Sequence, residues 1–251
     1  MDERANREKV RYNSNEIRRD GYTKILSRSP YIRQLIDDAI TERMKVANRS
    51  NVLEIGSNAF IGYIVARGYK PSKLTCINIS ESELKLGTDF IANNKIEFPV
   101  EFKIMDANNL EFDDNQFDLV FGGAILHHLN FQTAIKEVHR VLKPDGHIMF
   151  HEPLGSNPVA KLIRFCTPFA RTKDEKPLDR KDLEFVTEYF HTQYAFFQLF
   201  SVVSTVLLKA IGLGDSHPLN KLFFLADTYI SKNLPSMNPY FREILLSGKK
   251  K

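Results

Sequence analysis

The sequence predicts an α/β fold built on a doubly wound, mainly parallel sheet, and three observations carry that prediction. Short apolar runs alternate with amphipathic helical stretches from residue 51 onward, side-chain caps open the helical stretches, and Pro144-Asp145-Gly146 makes a turn back into a strand. Strands alternating with helices imply right-handed crossovers and a sheet covered on both faces. With 251 residues, 43% apolar and 26% charged, the chain can fill one sizeable core.

The elements follow in order. Residues 1–28 are polar, with Tyr12 and Tyr22 isolated among charges. Ser29 reads as an N-cap and Pro30 as a first-turn residue, which predicts a helix to about Ala47. Its Ile32, Leu35, Ile36, Ile40 and Met44 fall on one face. Asn51–Gly56 predicts a buried strand with its turn, 59–68 a helix, and Lys73–Asn78 a second strand. Ser80, with Glu83 three residues later, predicts a capping box opening a helix to about Asn93. Val100–Ile104 and Phe117–Phe121 supply two more strands. Asn130 caps a helix carrying Ala134, Ile135, Val138, Val141 and Leu142, and His147–His151 forms the next strand. After residue 152 come a Pro-rich helical region, a buried strand over Tyr194–Phe200 and helices near 202–211 and 217–233. Tyr240–Leu246 predicts a closing strand ahead of a solvated tail, Lys249-Lys250-Lys251.

Charge and cysteine content exclude several classes. The net charge of +4 is small, and no basic stripe interleaved with aromatics predicts a nucleic-acid partner. Cys76 and Cys166 fall in a strand and a helix, so neither a disulfide framework nor a CxxC metal site is expected. The N-terminal stretch lacks an apolar centre, and no run reaches the roughly 18 apolar residues of a membrane span. A cytoplasmic protein without stable membrane insertion is therefore expected.

Ligands in such sheets bind at the carboxyl ends of the strands. The first strand ends in Glu54-Ile-Gly56-Ser57-Asn58-Ala-Phe60, the second in Asn78-Ile79, the third in Asp106-Ala107 and the fourth in Gly122-Gly123. A tight turn after the first strand brings backbone N–H groups up to a ligand.

In that order, VLEIG at 52–56, INISESEL at 77–84, DANNLEFDDNQFDLVFGGAILHHL at 106–129 and EVHRVLKPDGHIMFHEP at 137–153 resemble class I S-adenosylmethionine-dependent methyltransferases, in particular the small-molecule group. The resemblance implies a Rossmann-like, doubly wound, mainly parallel seven-stranded sheet with a helical cover, and S-adenosylmethionine as cofactor. It places Glu54 and Gly56, with the adjoining Ser57 and Asn58, by the methionine part. Asn78 and Ile79 fall by the ribose, Asp106 and Ala107 by adenine, and Gly122 with the loop to His127 under the sulfonium. The family usually writes the first turn GxGxG and ends the second strand in an acid; here Asn58 and Phe60 replace glycines and Asn78 replaces the acid. A nicotinamide dehydrogenase would want a fuller GxGxxG and that same acid.

Methyl transfer from a sulfonium is an in-line displacement, so a base is needed only where the acceptor arrives protonated. His128, after the fourth strand, and His151 with Glu152, at the end of the fifth, are the candidates, together with Glu175 in the charged loop Thr167–Pro177. Arg171 and Asp174 of that loop could hold an anionic or polar acceptor group. His139 and His147 read as structural. Aromatics crowd residues 185–224, which fits core packing and equally a hydrophobic acceptor, a subunit interface or transient membrane contact.

These readings divide the chain into an N-terminal helical cap or lid (1–48), a cofactor-binding core (49–153), an acceptor-binding cover with a strand near 191–200 (154–235), and a closing strand with basic tail (236–251). The expected activity is methylation of a small metabolite, a hydrophobic one being compatible with the aromatic cover, O-methylation slightly ahead of N- or C-methylation, in a chain that can form homo-oligomers. The alternative is a noncatalytic methyltransferase-like binding subunit.

Overall fold

The computed structural model of the chain describes residues 3–13, 28–56, 61–167, 175–214 and 216–251. Ser57, Asn58, Phe60, Tyr22, Arg171 and Asp174 lie outside the described residues. The strands are β1 Asn51–Ile55, β2 Lys73–Asn78, β3 Val100–Ile104, β4 Phe117–Gly123, β5 Leu142–Pro153, β6 Phe190–Phe197 and β7 Glu243–Lys250. They form one sheet in the order β3-β2-β1-β4-β5-β7-β6. β1 to β5 run parallel, and β7 lies antiparallel between β5 and β6. The mainly parallel, seven-stranded expectation is borne out.

Alternate residues of each central strand serve opposite faces. Leu53, Ile55, Val120, Ile148 and Phe150 face α5 (Phe131–Val141) and α7 (Arg180–Tyr189). Val52, Leu74, Cys76, Leu119 and Phe121 face α2 (Pro30–Met44) and α3 (Ile61–Ala66). Phe117, Phe121 and Phe150 are each at most 1% exposed. Burials of this kind are worth roughly 2 kcal/mol apiece and hold the strand ends in register. α1 (Glu3–Asn13), α4 (Glu81–Asn93), α6 (Pro158–Cys166), α8 (Ser201–Ala210) and α9 (Pro218–Asn233) complete the helices of the described residues.

Local chemistry sets the boundaries. Ser29 Oγ caps α2 and Asn130 caps α5, as the sequence predicts. At α4 the capping box forms only in part: Ser80 Oγ accepts the Glu83 N–H at 3.3 Å, but the Ser80 N–H donates to Asn78 Oδ1 at 3.0 Å. The cap amide is thereby satisfied from the strand end instead of from Glu83. Asp227, buried on α9, accepts from the N–H groups of Leu199, Phe200 and Ser201 and from Ser201 Oγ, which caps α8 from a distance.

Two expectations need correction. The lysine tail is not a disordered extension: Lys249 and Lys250 belong to β7, Lys249 is exposed yet pairs with Asp145 at 2.9 Å, and Lys250 Nζ donates to the Leu142 carbonyl at 2.6 Å. Backbone pairing on both sides outweighs the exposure preference of the charges, whose long stems reach acceptors at the sheet rim. The β6 strand starts at Phe190, earlier than expected, because its pairing runs the full length of β7 to Phe190↔Lys250.

Candidate functional site

A cavity of about 260 Å³ opens at the carboxyl ends of β1 to β4. Gly56, Asn78, Ile79, Asp106, Ala107, Gly123, Ile125, His127 and His128 line it, together with residues sequence reasoning did not assign to a site: Arg4, Ala5, Glu8, Glu83 and Asn108 among them. The floor depends on two glycines. Gly56 has φ +74°, and a Cβ there would meet Ile125 Cγ1 at 2.7 Å. Gly122 is less forgiving, since a Cβ there would meet backbone, the Ile55 carbonyl oxygen, at 2.8 Å. Gly122 thus lets β1 and β4 approach beneath the cavity, while Gly123 is the residue that lines it.

The polar residues are individually oriented. Asp106 Oδ1 accepts from Asn108 N–H at 2.9 Å and Asn108 Nδ2 at 2.8 Å, which fixes the carboxylate's plane at the cavity wall. Asn78 Oδ1 is engaged by Ser80, so its amide NH2 is the end that a ligand hydroxyl could meet. Glu54 is buried beneath, where its carboxylate accepts from Cys76 Sγ at 3.4 Å, and it does not line the cavity.

Glu152 is 1% exposed and is a corrected reading: it lies behind the cavity wall and cannot meet an acceptor. Its Oε1 accepts from Ile125 and Leu126 N–H at 2.8 and 2.9 Å, and Oε2 lies 2.7 Å from His127 Nδ1. Burial acts to raise its pKa, but the His127 hydrogen bond and charge and the two backbone N–H groups outweigh that and hold it below the usual carboxylate range. The ionised Glu152 accepts from His127 Nδ1, which fixes the orientation of the ring at the cavity wall.

His128 does reach the cavity. Its Nε2 lies 3.2 Å from Tyr12 Oη and 4.0 Å from Glu175 Oε1, and its Nδ1 lies 3.3 Å from Glu8 Oε2. The rings of His127 and His128 are 4.2 Å apart. Glu175 therefore stands behind His128 and does not itself line the cavity. His151 is corrected outright. Strand alternation turns it to the opposite sheet face from Glu152, against Phe197 and at 3.1 Å from Glu243, and it is not among the cavity's lining residues. Glu243 binds Arg28 and Arg242 as well, and those cations overcome burial to hold it well below the usual range. His139 packs edge-on against Tyr189 and Phe190, and burial lowers its pKa.

The roof of the cavity is α1, an element the periodicity rule could not see because its inward face is polar. Ala5, Glu8 and Tyr12 recur at helical spacing over the cavity, and Ala5 and Glu8 are 6% and 2% exposed. Ser80 Oγ donates to Asn13 Oδ1 at 2.7 Å and Ser82 Oγ to the Tyr12 carbonyl at 3.0 Å, tying α1 to the start of α4.

Residues 53–150 match the methyltransferase-domain family. Residues 53–150 form a class I S-adenosylmethionine-dependent methyltransferase domain. The chain is 36% identical over 84 residues to a ubiquinone/menaquinone biosynthesis C-methyltransferase of Hydrogenovibrio crunogenus, covering 33% of each chain. It thus spans about a third of that relative's length. A geranyl diphosphate C-methyltransferase from Streptomyces coelicolor, solved with Mg2+, geranyl diphosphate and S-adenosylhomocysteine, superposes over 100% of both chains with a TM-score of 0.64 at 12% identity. The N-methyltransferase NodS from Bradyrhizobium japonicum, solved with S-adenosylhomocysteine, superposes over 96% of this chain and 97% of its own with a TM-score of 0.58 at 16% identity. At these identities the two structures attest the fold of the methyltransferase domain and its helical surroundings.

Proposed function

We propose that this chain transfers a methyl group from S-adenosylmethionine to a small-molecule acceptor held beneath α1. The carrying observation is the cavity itself, where side chains of the methyltransferase domain and of α1 converge at the carboxyl ends of the parallel strands. The residues fit the cofactor's chemistry. The Asp106 carboxylate can accept from an adenine amine, the Asn78 amide can meet ribose hydroxyls, and the left-handed Gly56 lets backbone approach the amino-acid end. Bound there, the sulfonium supplies an activated methyl group.

The chain's own contribution is positioning and proton handling. Glu152 holds His127 and the 125–126 amides in one arrangement, which fixes the wall facing the acceptor. His128, bracketed by Tyr12 and Glu8, is the group that takes a proton from an acceptor hydroxyl, or from an ammonium, as transfer proceeds. O-methylation is slightly preferred because an imidazole beside a phenol and carboxylates suits hydroxyl deprotonation. α1 excludes water from the displacement.

Calorimetric titration with S-adenosylmethionine and S-adenosylhomocysteine tests the reading. Micromolar binding, about −8 kcal/mol, lost in Asp106→Ala and in Gly56→Phe, is the expected result. No heat at millimolar ligand with a folded protein would sink it in favour of the noncatalytic binding subunit.

A further inference from the structure

The segment between β6 and β7 is a helical hairpin, α8 and α9, closed by a 3-10 turn over Pro235–Tyr240. β6 runs parallel to β5, since both are antiparallel to β7, so the carboxyl end of β6 lies at the same sheet edge as the cavity. The hairpin is rooted there. Its inward face combines apolar packing with satisfied polar groups: Val202 and Leu208 are buried, Phe224 and Ile230 pack on the core, Asn220 accepts from Ser204 Oγ, and Asp227 caps α8. Its outward face is apolar, with Leu222 62%, Tyr229 65% and Leu225 52% exposed on α9 and Ile211 69% exposed at the end of α8. Burying these side chains in water-excluded surroundings is favourable, and leaving a contiguous set in water is not.

Among the described residues of the two helices, the charges that reach the surface are of one sign. Lys221 and Lys232 are exposed beside the apolar row of α9, Lys209 lies on α8, and the one acid among the described residues of the two helices is Asp227, 3% exposed and turned inward. Asp215, in the connecting turn, lies outside the described residues. A second copy docked across a two-fold axis would set lysines against lysines. An apolar helix face flanked by lysines matches an anionic lipid surface, where the aliphatic side chains enter the acyl boundary and the ammonium groups meet headgroup phosphates. We propose that the outward face of α8 and α9 docks this protein on anionic phospholipid bilayers, with the cavity edge of the sheet turned toward the membrane. Among the described residues no helix is long and apolar enough to cross it, so the contact is interfacial.

Docking does not rest on methyl transfer, and the two can fail separately. Full-length protein is sedimented with phosphatidylcholine vesicles and with vesicles containing about 30% phosphatidylserine, at low and high salt, while cofactor titration is run in parallel. The expected result is binding to the anionic vesicles that falls about tenfold in Lys221→Glu/Lys232→Glu and is lost in Leu222→Glu/Leu225→Glu, with cofactor titration and thermal unfolding unchanged. Because the substituted side chains are exposed, the variants keep the fold. Absence of anionic-vesicle binding by the wild-type chain, or binding indifferent to both variants, overturns the proposal. So does a concentration-dependent dimer abolished by Leu222→Glu/Leu225→Glu, which would give the face to a second copy.

Discussion

At Asn78 the side-chain oxygen is committed to the Ser80 N–H at 3.0 Å, one residue ahead of α4. A carboxylate in the same place would keep that bond on one oxygen and offer the other to a ribose hydroxyl, with full charge and at a helix N-terminus that favours anions. Asn78→Asp should therefore tighten S-adenosylmethionine binding by roughly three- to tenfold in calorimetric titration. Equal or weaker binding would show that the amide donor is what this site uses. The position of Asn78, like that of Asp106, was legible in the sequence because both end short buried strands, and strand ends define the ligand edge. Gly122 and Glu152 were misplaced by a different cause. Whether a strand-end residue lines a cavity or lies one layer beneath depends on side-chain direction and on what packs over it, which spacing along the chain does not encode.

At the scale of elements, the segment from Ile125 to His127 is held from behind by one buried carboxylate. Glu152→Gln keeps the shape but replaces an acceptor of three hydrogen bonds with a group whose NH2 opposes the proton-bearing His127 Nδ1. It should cost about 3 kcal/mol, read as a lowered denaturant midpoint at unchanged slope. The pH dependence has a definite sign. Glu152 and Glu243 both have folded-state pKa values below their unfolded ones, so the stability they contribute is present above the ordinary carboxylate range and is lost as pH falls through the folded values. Thermal unfolding should drop on the acid side of about pH 4.3, and Glu152→Gln should flatten that limb without altering the neutral plateau's slope. A limb of identical steepness in the variant would remove Glu152 from the account. Elements with an apolar face, α2 and α5 above all, were readable from their periodicity, whereas α1 was not. Its inward residues are Ala5, Glu8 and Tyr12, and only the cavity beneath them makes that face an inside.

For the whole molecule, stability and enclosure of the site are carried by different parts. The sheet and its two apolar layers contain the large buried side chains and include no residue of α1, which is fastened by polar contacts to Ser80, Ser82, His127 and His128 among others. Removing residues 1–13 should consequently leave the melting temperature within about 3 °C, the shift expected for roughly 1 kcal/mol in a domain of this size. The same truncation takes away Arg4, Glu8 and Tyr12, three of the cavity's polar side chains, and opens the site to water. Methyl-transfer kcat should fall at least about 100-fold, since both the partner of His128 and the exclusion of solvent are lost. Cofactor affinity should fall less, because Asp106, Asn78 and Gly56 belong to the sheet and stay in place. Tyr12→Phe separates the two contributions: the roof remains, the 3.2 Å contact to His128 Nε2 is gone, and a loss of kcat with an unchanged KM would assign the phenol to proton handling. If the truncated chain instead unfolds cooperatively at a much lower temperature, α1 is part of the folding core and its role as a roof is secondary to that.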